Sequence, residues 1–211
     1  MSIKLSVLVP TVPSRIDFFY PRIIKELLRQ TEDRNDVEIL GLFDNKKRSI
    51  GAKRQSMLDI INGEYVVFID DDDRISDSYI ATIMDAIYQN PDTDCIVFDC
   101  IYCPVDNGSR EKLCKYGVEF EYGDINGGDE WRGKPAHTMV YKTSIAKQEK
   151  YSDMNHGEDI DWVKRACSRI KQQTRIDKVL YYYDSRYLTT SESVGLSDNV
   201  INKNIKKLLE K

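Results

Sequence analysis

The 211-residue sequence predicts an α/β fold: a mostly parallel central sheet flanked by helices, in a single domain spanning residues 1–211. Over the first hundred residues, short apolar strands alternate with segments of helical periodicity, the pattern of a parallel sheet covered by helices. The hydrophobic content of 41% can bury one ordinary core. No linker, internal repeat or low-complexity tract divides the chain.

The elements follow in order. IKLSVLVP, from Ile3 to Pro10, is a first strand. A helix comes next, with Pro21 near its start and Phe19, Ile23, Ile24, Leu27 and Leu28 on one stripe. VEILGLF, from Val37 to Phe43, is the second strand. A helix from Gly51 to Ile61 turns Leu58 and Ile61 inward, and Gly63 stands where a helix-terminating glycine is expected. EYVVFI is the third strand. Ser76 can cap a third helix, in which Ile80, Ile83, Met84 and Ile87 recur at helical spacing and which Pro91 stops. The fourth strand runs from Cys95 to Tyr102. From Pro104 to Pro135 the glycine-interrupted, aromatic-rich segment reads as loops and short strands. A strand-like HTMVYKT, a helix containing Asp161 to Ile170, a strand KVLYYY and an amphipathic helix from about Ser197 complete the chain.

Against 31 basic residues stand 35 acidic ones, so the net charge of −4 exerts no global pull toward nucleic acid or an anionic membrane. No apolar run is long enough to span a bilayer, and the apolar part of MSIKLSVLVPTVPSR is too short for a secretory signal. A cytoplasmic protein is the expectation. Five cysteines, an odd number in a chain too long to need disulfide staples, are expected as thiols. Cys95, Cys100 and Cys103, with Cys114 available, have a spacing that also suits an iron–sulfur or zinc site. Strand alternation, however, puts Cys95 on the face opposite Cys100.

YVVFIDDDDRIS poses the functional question. In an open parallel sheet the ligand crevice lies beyond the carboxyl ends of the strands. There the first strand delivers Thr11, Ser14 and Arg15, the second Asp44 and the basic NKKR, and the third Asp70, Asp71, Asp72 and Asp73. Four adjacent carboxylates repel one another, and a hard divalent ion, Mg2+ or Mn2+, is the natural counter-charge. Such ions complete their shells with water and substrate phosphates, which points to a nucleotide diphosphate or triphosphate. Lys53 and Arg54, with Lys46, Lys47 and Arg48, form the densest basic patch, suited to a nucleotide diphosphate, a phosphate-backbone acceptor or simply a solvated helix face. No phosphate-binding glycine motif occurs, and an EF-hand is excluded because no glycine stands at the sixth loop position.

LSVLVPTVPSR and IGAKRQSMLDIINGEYVVFIDDDDRISDSYI together resemble the opening strand, nucleotide loop and D-x-D-D block of the metal-dependent glycosyltransferases of the GT-A fold, family 2. The resemblance covers most of the chain. It implies a nucleotide-sugar donor, a UDP-sugar first, bound by Pro10, Thr11, Arg15, Lys53, Arg54, Asp70 and Asp71, with Asp44 at the nucleobase. It assigns the metal to Asp70, Asp72 and Asp73. NKKRS replaces the family's usual continuation after that aspartate. NHGEDIDWVKRA supplies the family's late acidic pair at a helix start, which makes Asp159 the base and Glu158 its partner. Residues 1–103 would then bind the nucleotide-sugar and 104–211 the acceptor. His137 and His156 could each serve as a metal ligand or acceptor contact. Arg186 and the tyrosines of YYYDSR could line the diphosphate, and Trp131 could stack on a sugar ring or be buried. The lysines of the last helix could meet a membrane surface, although its apolar residues suffice to dock it on the core.

The expected activity is inverting transfer of a sugar to an acceptor hydroxyl, the acceptor being a carbohydrate, protein, lipid or hydroxylated nucleic-acid base. Two other readings stay open: metal-dependent phosphoryl transfer or hydrolysis, and a non-catalytic nucleotide or carbohydrate binder.

Overall fold

The computed structural model describes residues 2–104, 110–121, 123–125 and 128–185. Its strands are β1 (Leu5–Thr11), β2 (Val37–Phe43), β3 (Tyr65–Phe68), β4 (Arg74–Ile75), β5 (Cys95–Cys103), β6 (Lys112–Tyr116), β7 (Gly123–Ile125), β8 (Glu130–Gly133), β9 (Val140–Lys142) and β10 (Gln173–Asp184). The helices are α1 (Phe19–Thr31), α2 (Ile50–Ile60), α3 (Tyr79–Gln89), α4 (Thr143–Ala146) and α5 (Glu158–Cys167). One sheet runs in the order β2-β1-β3-β9-β5-β6-β8-β7, and β10 pairs with both β4 and β5.

The parallel core is β2, β1 and β3, with Leu5 opposite Val37 and Tyr65, and Thr11 opposite Phe43. Every residue of β1 and β3 is buried, as expected of strands covered on both faces, whereas β2 is a half-exposed edge. The antiparallel β9 is inserted between β3 and β5, and β10 runs parallel to β5.

Several local expectations need correction. In α1, Phe19, Ile23 and Leu27 are buried but Leu28 is 58% exposed. Residues four apart drift only slowly around a helix, while Leu28 stands about 100° round from Leu27 and faces solvent. Gly63 does not terminate a helix in the left-handed region. α2 ends at Ile60, and a side chain at Gly63 would strike the Ser6 Oγ and come within 2.6 Å of the Ser6 nitrogen, so close strand approach demands the glycine. Ser76 is not a cap. Its N–H donates to the Leu180 carbonyl at 2.9 Å as part of the unforeseen β4–β10 pairing, and its Oγ is buried without a hydrogen-bond partner. Ser49 is the true cap of α2, accepting from the Ala52 N–H at 3.0 Å. The helix from Ser197, Arg186 and the C-terminal lysines lie outside the described residues. Among the described residues no helix is long and apolar enough to cross a membrane.

β5 is buried along Cys95–Cys100. Cys100 lies opposite Cys114 on β6, Cys95 lies opposite Tyr141 on β9, and none of the five cysteines is joined in a disulfide. Among the described residues no three metal-ligating side chains come together, at the cysteines or elsewhere.

Candidate active site

Because β1, β2 and β3 are parallel, their carboxyl ends deliver their loops to one edge of the sheet. A cleft there is lined by Pro10 and Thr11 at the end of β1, Arg15 from the loop that follows, Lys53 and Arg54 from α2, and Asp70, Asp72 and Asp73 from the loop after β3. Lys46, Asn155, His156 and Asp184 complete much of its wall. The convergence expected of the strand ends is thus present, but the four carboxylates are not equivalent.

Asp70 follows β3, where the Ile69 N–H still bonds the Leu8 carbonyl at 2.9 Å. Its Oδ1 accepts from Arg54 Nη2 at 2.8 Å, and its Oδ2 lies 3.3 Å from His137 Nε2. Burial alone would raise this carboxyl; the Arg54 guanidinium, assisted by His137, outweighs it and holds Asp70 well below the usual carboxylate range. Asp71 is turned inward, fully buried. It accepts from the Thr11 hydroxyl at 2.5 Å and from Arg15 Nη1 at 2.8 Å and is not among the residues lining the cleft. Burial, reinforced by the charge of Asp72 and opposed by Arg15, pushes its carboxyl up to about 6.

Asp72 faces the cleft and also accepts from Arg15 Nη1, at 3.0 Å. Asp73 has both oxygens bonded within the fold, one to the Tyr181 hydroxyl at 2.5 Å and the other to the Asp184 N–H at 2.8 Å. Burial, with Asp72 and Asp70 close by, pushes it well above the usual range. Much of the counter-charge that the acidic run demands therefore comes from Arg15 and Arg54. Arg22, which no sequence motif singles out, donates to the main-chain carbonyls of Asp72 at 2.9 Å and Asp73 at 2.8 Å and so fixes the loop. Its helical position carries no signal of that task.

The basic patch splits in two. Lys53 and Arg54 are buried, 2% and 4% exposed, which excludes a solvated face for them. Lys53 Nζ donates to the Thr11 carbonyl at 2.8 Å and pairs with Asp44 Oδ1 at 2.9 Å, clamping the first two loops together. Asp44 is therefore held behind Lys53 and is not among the residues lining the cleft. Lys46, by contrast, is on the cleft wall, its backbone in the left-handed region at φ 62° and its N–H donating to Asp44 Oδ1 at 3.1 Å.

The acidic pair opens α5 as expected, after Gly157, whose φ of 72° favours glycine. Glu158 is buried, its Oε1 3.4 Å from Arg54 Nε in an ion-pair contact without hydrogen-bond geometry. Burial raises its carboxyl, Arg54 opposes this, and Asp159 adds to it. Asp159 is more open, and its Oδ2 lies 3.4 Å from His137 Nδ1. His137 thus stands between Asp70 and Asp159, one ring nitrogen toward each. His156 lines the cleft from the exposed loop before α5. The loop is tied to α2 by the Ser49 hydroxyl donating to Asp153 at 2.5 Å and the Gly51 N–H donating to the Met154 carbonyl at 3.1 Å.

The family model described as Glycosyl transferase family 2 matches residues 20–149, more than half of the chain. The crystal structure of S. aureus TarS 1–349 is similar at 17% identity and a TM-score of 0.60, over 88% of this chain and 61% of that one. The same protein in complex with UDP-GlcNAc matches at 16% identity and a TM-score of 0.59, over 85% of this chain and 58% of that one. Its complex with UDP matches at 15% identity and a TM-score of 0.58, over 98% of this chain and 71% of that one. The chain spans about three fifths of TarS 1–349 and 43% of the longer TarS structure. Among curated proteins nothing matches. Taken with the mostly parallel sheet and its strand-end cleft, the family match shows that this chain belongs to Glycosyl transferase family 2.

Proposed function

We propose that the protein transfers a sugar from a nucleotide-diphosphate sugar, a UDP-sugar first among the candidates, to an acceptor hydroxyl with inversion at the anomeric carbon. The observation that carries this reading is the row Asp70–His137–Asp159, which ties the strand-end carboxylates of the cleft to the acidic pair of α5. The similarity to TarS in complex with UDP-GlcNAc and in complex with UDP supports the donor class.

The chain's own groups divide the work. Pro10, Thr11, Arg15 and Lys46 line the donor side, and the charge of Arg15 and Lys46 suits a diphosphate. Asp159 takes the proton of the acceptor hydroxyl as its oxygen bonds the anomeric carbon and the bond from that carbon to the diphosphate breaks. A single base acting in one displacement inverts the centre. Glu158, buried against Arg54, anchors the helix start that presents Asp159. His137 is a positioning residue, setting the spacing of Asp159 from Asp70. Residues 1–103 then serve most of the donor side and 104–211 the base and acceptor side, with Asn155, His156 and Asp184 closing the donor cleft. The donor set at the cleft fits Mg2+ or Mn2+, which need only one or two carboxylates and take their other ligands from water and phosphate: Asp72 and Asp70 would hold the ion, and it would stabilise the departing diphosphate. Asp73 would support them from behind through Tyr181 and Asp184.

The test is a panel of UDP-, GDP- and dTDP-sugars screened by thermal shift with and without Mn2+, followed by turnover of the donor that binds. Asp159→Asn should lower turnover about 100-fold or more while leaving donor affinity unchanged. His137→Ala should lower turnover with donor affinity retained. Orthophosphate release without sugar transfer would identify phosphoryl chemistry instead, and donor binding with no turnover a silent binder.

A further inference from the structure

Beyond the donor cleft, the far half of the sheet carries a second cavity of about 340 Å³, within the roughly 300 to 1,000 Å³ range of small-molecule sites. Its floor is small: Cys100 and Cys114 face each other across the β5–β6 pair. Its sides are aromatic. Tyr102 stacks on Tyr183, its neighbour on β10, with centroids 5.7 Å apart and planes 21° apart. Tyr116 meets Trp131 edge to face at 5.6 Å. Lys112, opposite Tyr102 on β6, brings an ammonium group to the lining. Tyr183 is 39% exposed and lines both this cavity and the donor cleft, so the two adjoin at its ring.

We propose that this cavity is an acceptor subsite that holds one pyranose ring of a carbohydrate acceptor. The proposal rests on the donor-site reading above and extends it to the acceptor's chemical class. A pyranose has an apolar face of C–H groups and a rim of hydroxyls. Aromatic rings with phenolic and indole tips match both halves, since one surface packs the C–H face while the tips and Lys112 bond the hydroxyls. An alkyl chain would use neither the ammonium nor the phenols. Because the cavity adjoins the donor cleft at the partly exposed Tyr183, a saccharide seated here can extend its next unit over that ring toward the donor sugar.

The full chain contains two tryptophans, Trp131 and Trp162, and Trp162 is 1% exposed and stacked on Tyr151. Protein labelled with 5-fluorotryptophan therefore gives a cavity signal and an internal reference by 19F NMR. Maltotetraose, cellotetraose, mannotetraose and chitotetraose are titrated in turn, each with the donor nucleotide identified by thermal shift. At least one should shift the Trp131 resonance saturably and leave that of Trp162 in place. Lys112→Ala and Tyr102→Ala should weaken that saccharide about tenfold with donor affinity unchanged, the Trp162 signal verifying the fold. If the donor binds and none of the saccharides moves Trp131, or if the variants bind saccharide as the parent does, the subsite is refuted and the donor reading stands. If no nucleotide-sugar binds, the donor reading fails and the acceptor subsite fails with it.

Discussion

Replacing Arg54 by methionine tests whether a buried cation, rather than solvent, holds the acidic site together. Its Nη2 reaches Asp70 at 2.8 Å, its Nε lies 3.4 Å from Glu158, and its guanidinium sits 5.2 Å from the centroid of the Phe68 ring. Methionine keeps the apolar stem and strands two carboxylates. Removing one partner of a buried ion pair costs about 3 to 5 kcal/mol. At roughly 2 to 4 °C per kcal/mol for a chain of this size, the midpoint should fall by about 6 to 20 °C. The pH dependence has a definite sign. In the parent, Asp70 is held below its unfolded value, so its contribution is present above that value and is lost as pH falls through the lower folded one. Without Arg54, Asp70 loses the largest influence that holds it down and rises, so the folded variant takes up protons on acidification more readily than the parent. The stability gap should be widest near about pH 7 and narrow toward about pH 4. Urea unfolding followed by far-UV circular dichroism at both pH values measures it. A gap under about 1 kcal/mol at neutral pH, the scale of an exposed pair, or a gap that widens on acidification, would refute the argument.

Other outcomes follow from local geometry. Ser49→Ala should cost about 1 kcal/mol by removing the cap of α2, whereas Ser76→Ala, which removes an unbonded buried hydroxyl, should be neutral or slightly stabilising; equal losses in urea unfolding would contradict these assignments. Gly63→Ala should destabilise by about 1 to 3 kcal/mol, because the added methyl meets Ser6 and lies 2.7 Å from the Tyr65 carbonyl; an unchanged midpoint would show that the strands yield freely. Burial pushes the Cys95 and Cys100 thiols far up and raises Cys167, and Cys103 and Cys114 are also buried. A disulfide reagent at neutral pH should thus find no fast thiol in the native protein and five after unfolding, and a rapid native phase would count against the structure.

Much of the site's location was legible before any coordinates. Alternating strand and helix periods imply parallel strands, and parallel strands gather their carboxyl ends. Thr11, Arg15, Asp70 and Asp72 could therefore be assigned to one cleft. The late Glu158–Asp159 pair was visible as charge at a helix start. His137, one of two histidines, was a candidate, but nothing in its spacing tells that its two nitrogens reach carboxylates 67 and 22 residues away in the chain.

What the sequence determined by itself are the features that depend on period and composition: the helices, the buried strands, and an acidic run at a strand end. Only the tertiary structure decided which carboxylate does what. Asp70 to Asp73 are identical in chemistry, and their differences arise from groups distant in the chain: Arg54 and His137 on the first, Arg15 on the second and third, Tyr181 and the Asp184 amide on the fourth. Electrostatic interactions act through space over a few ångströms, so the roles of adjacent residues are set by which folded neighbours arrive beside them.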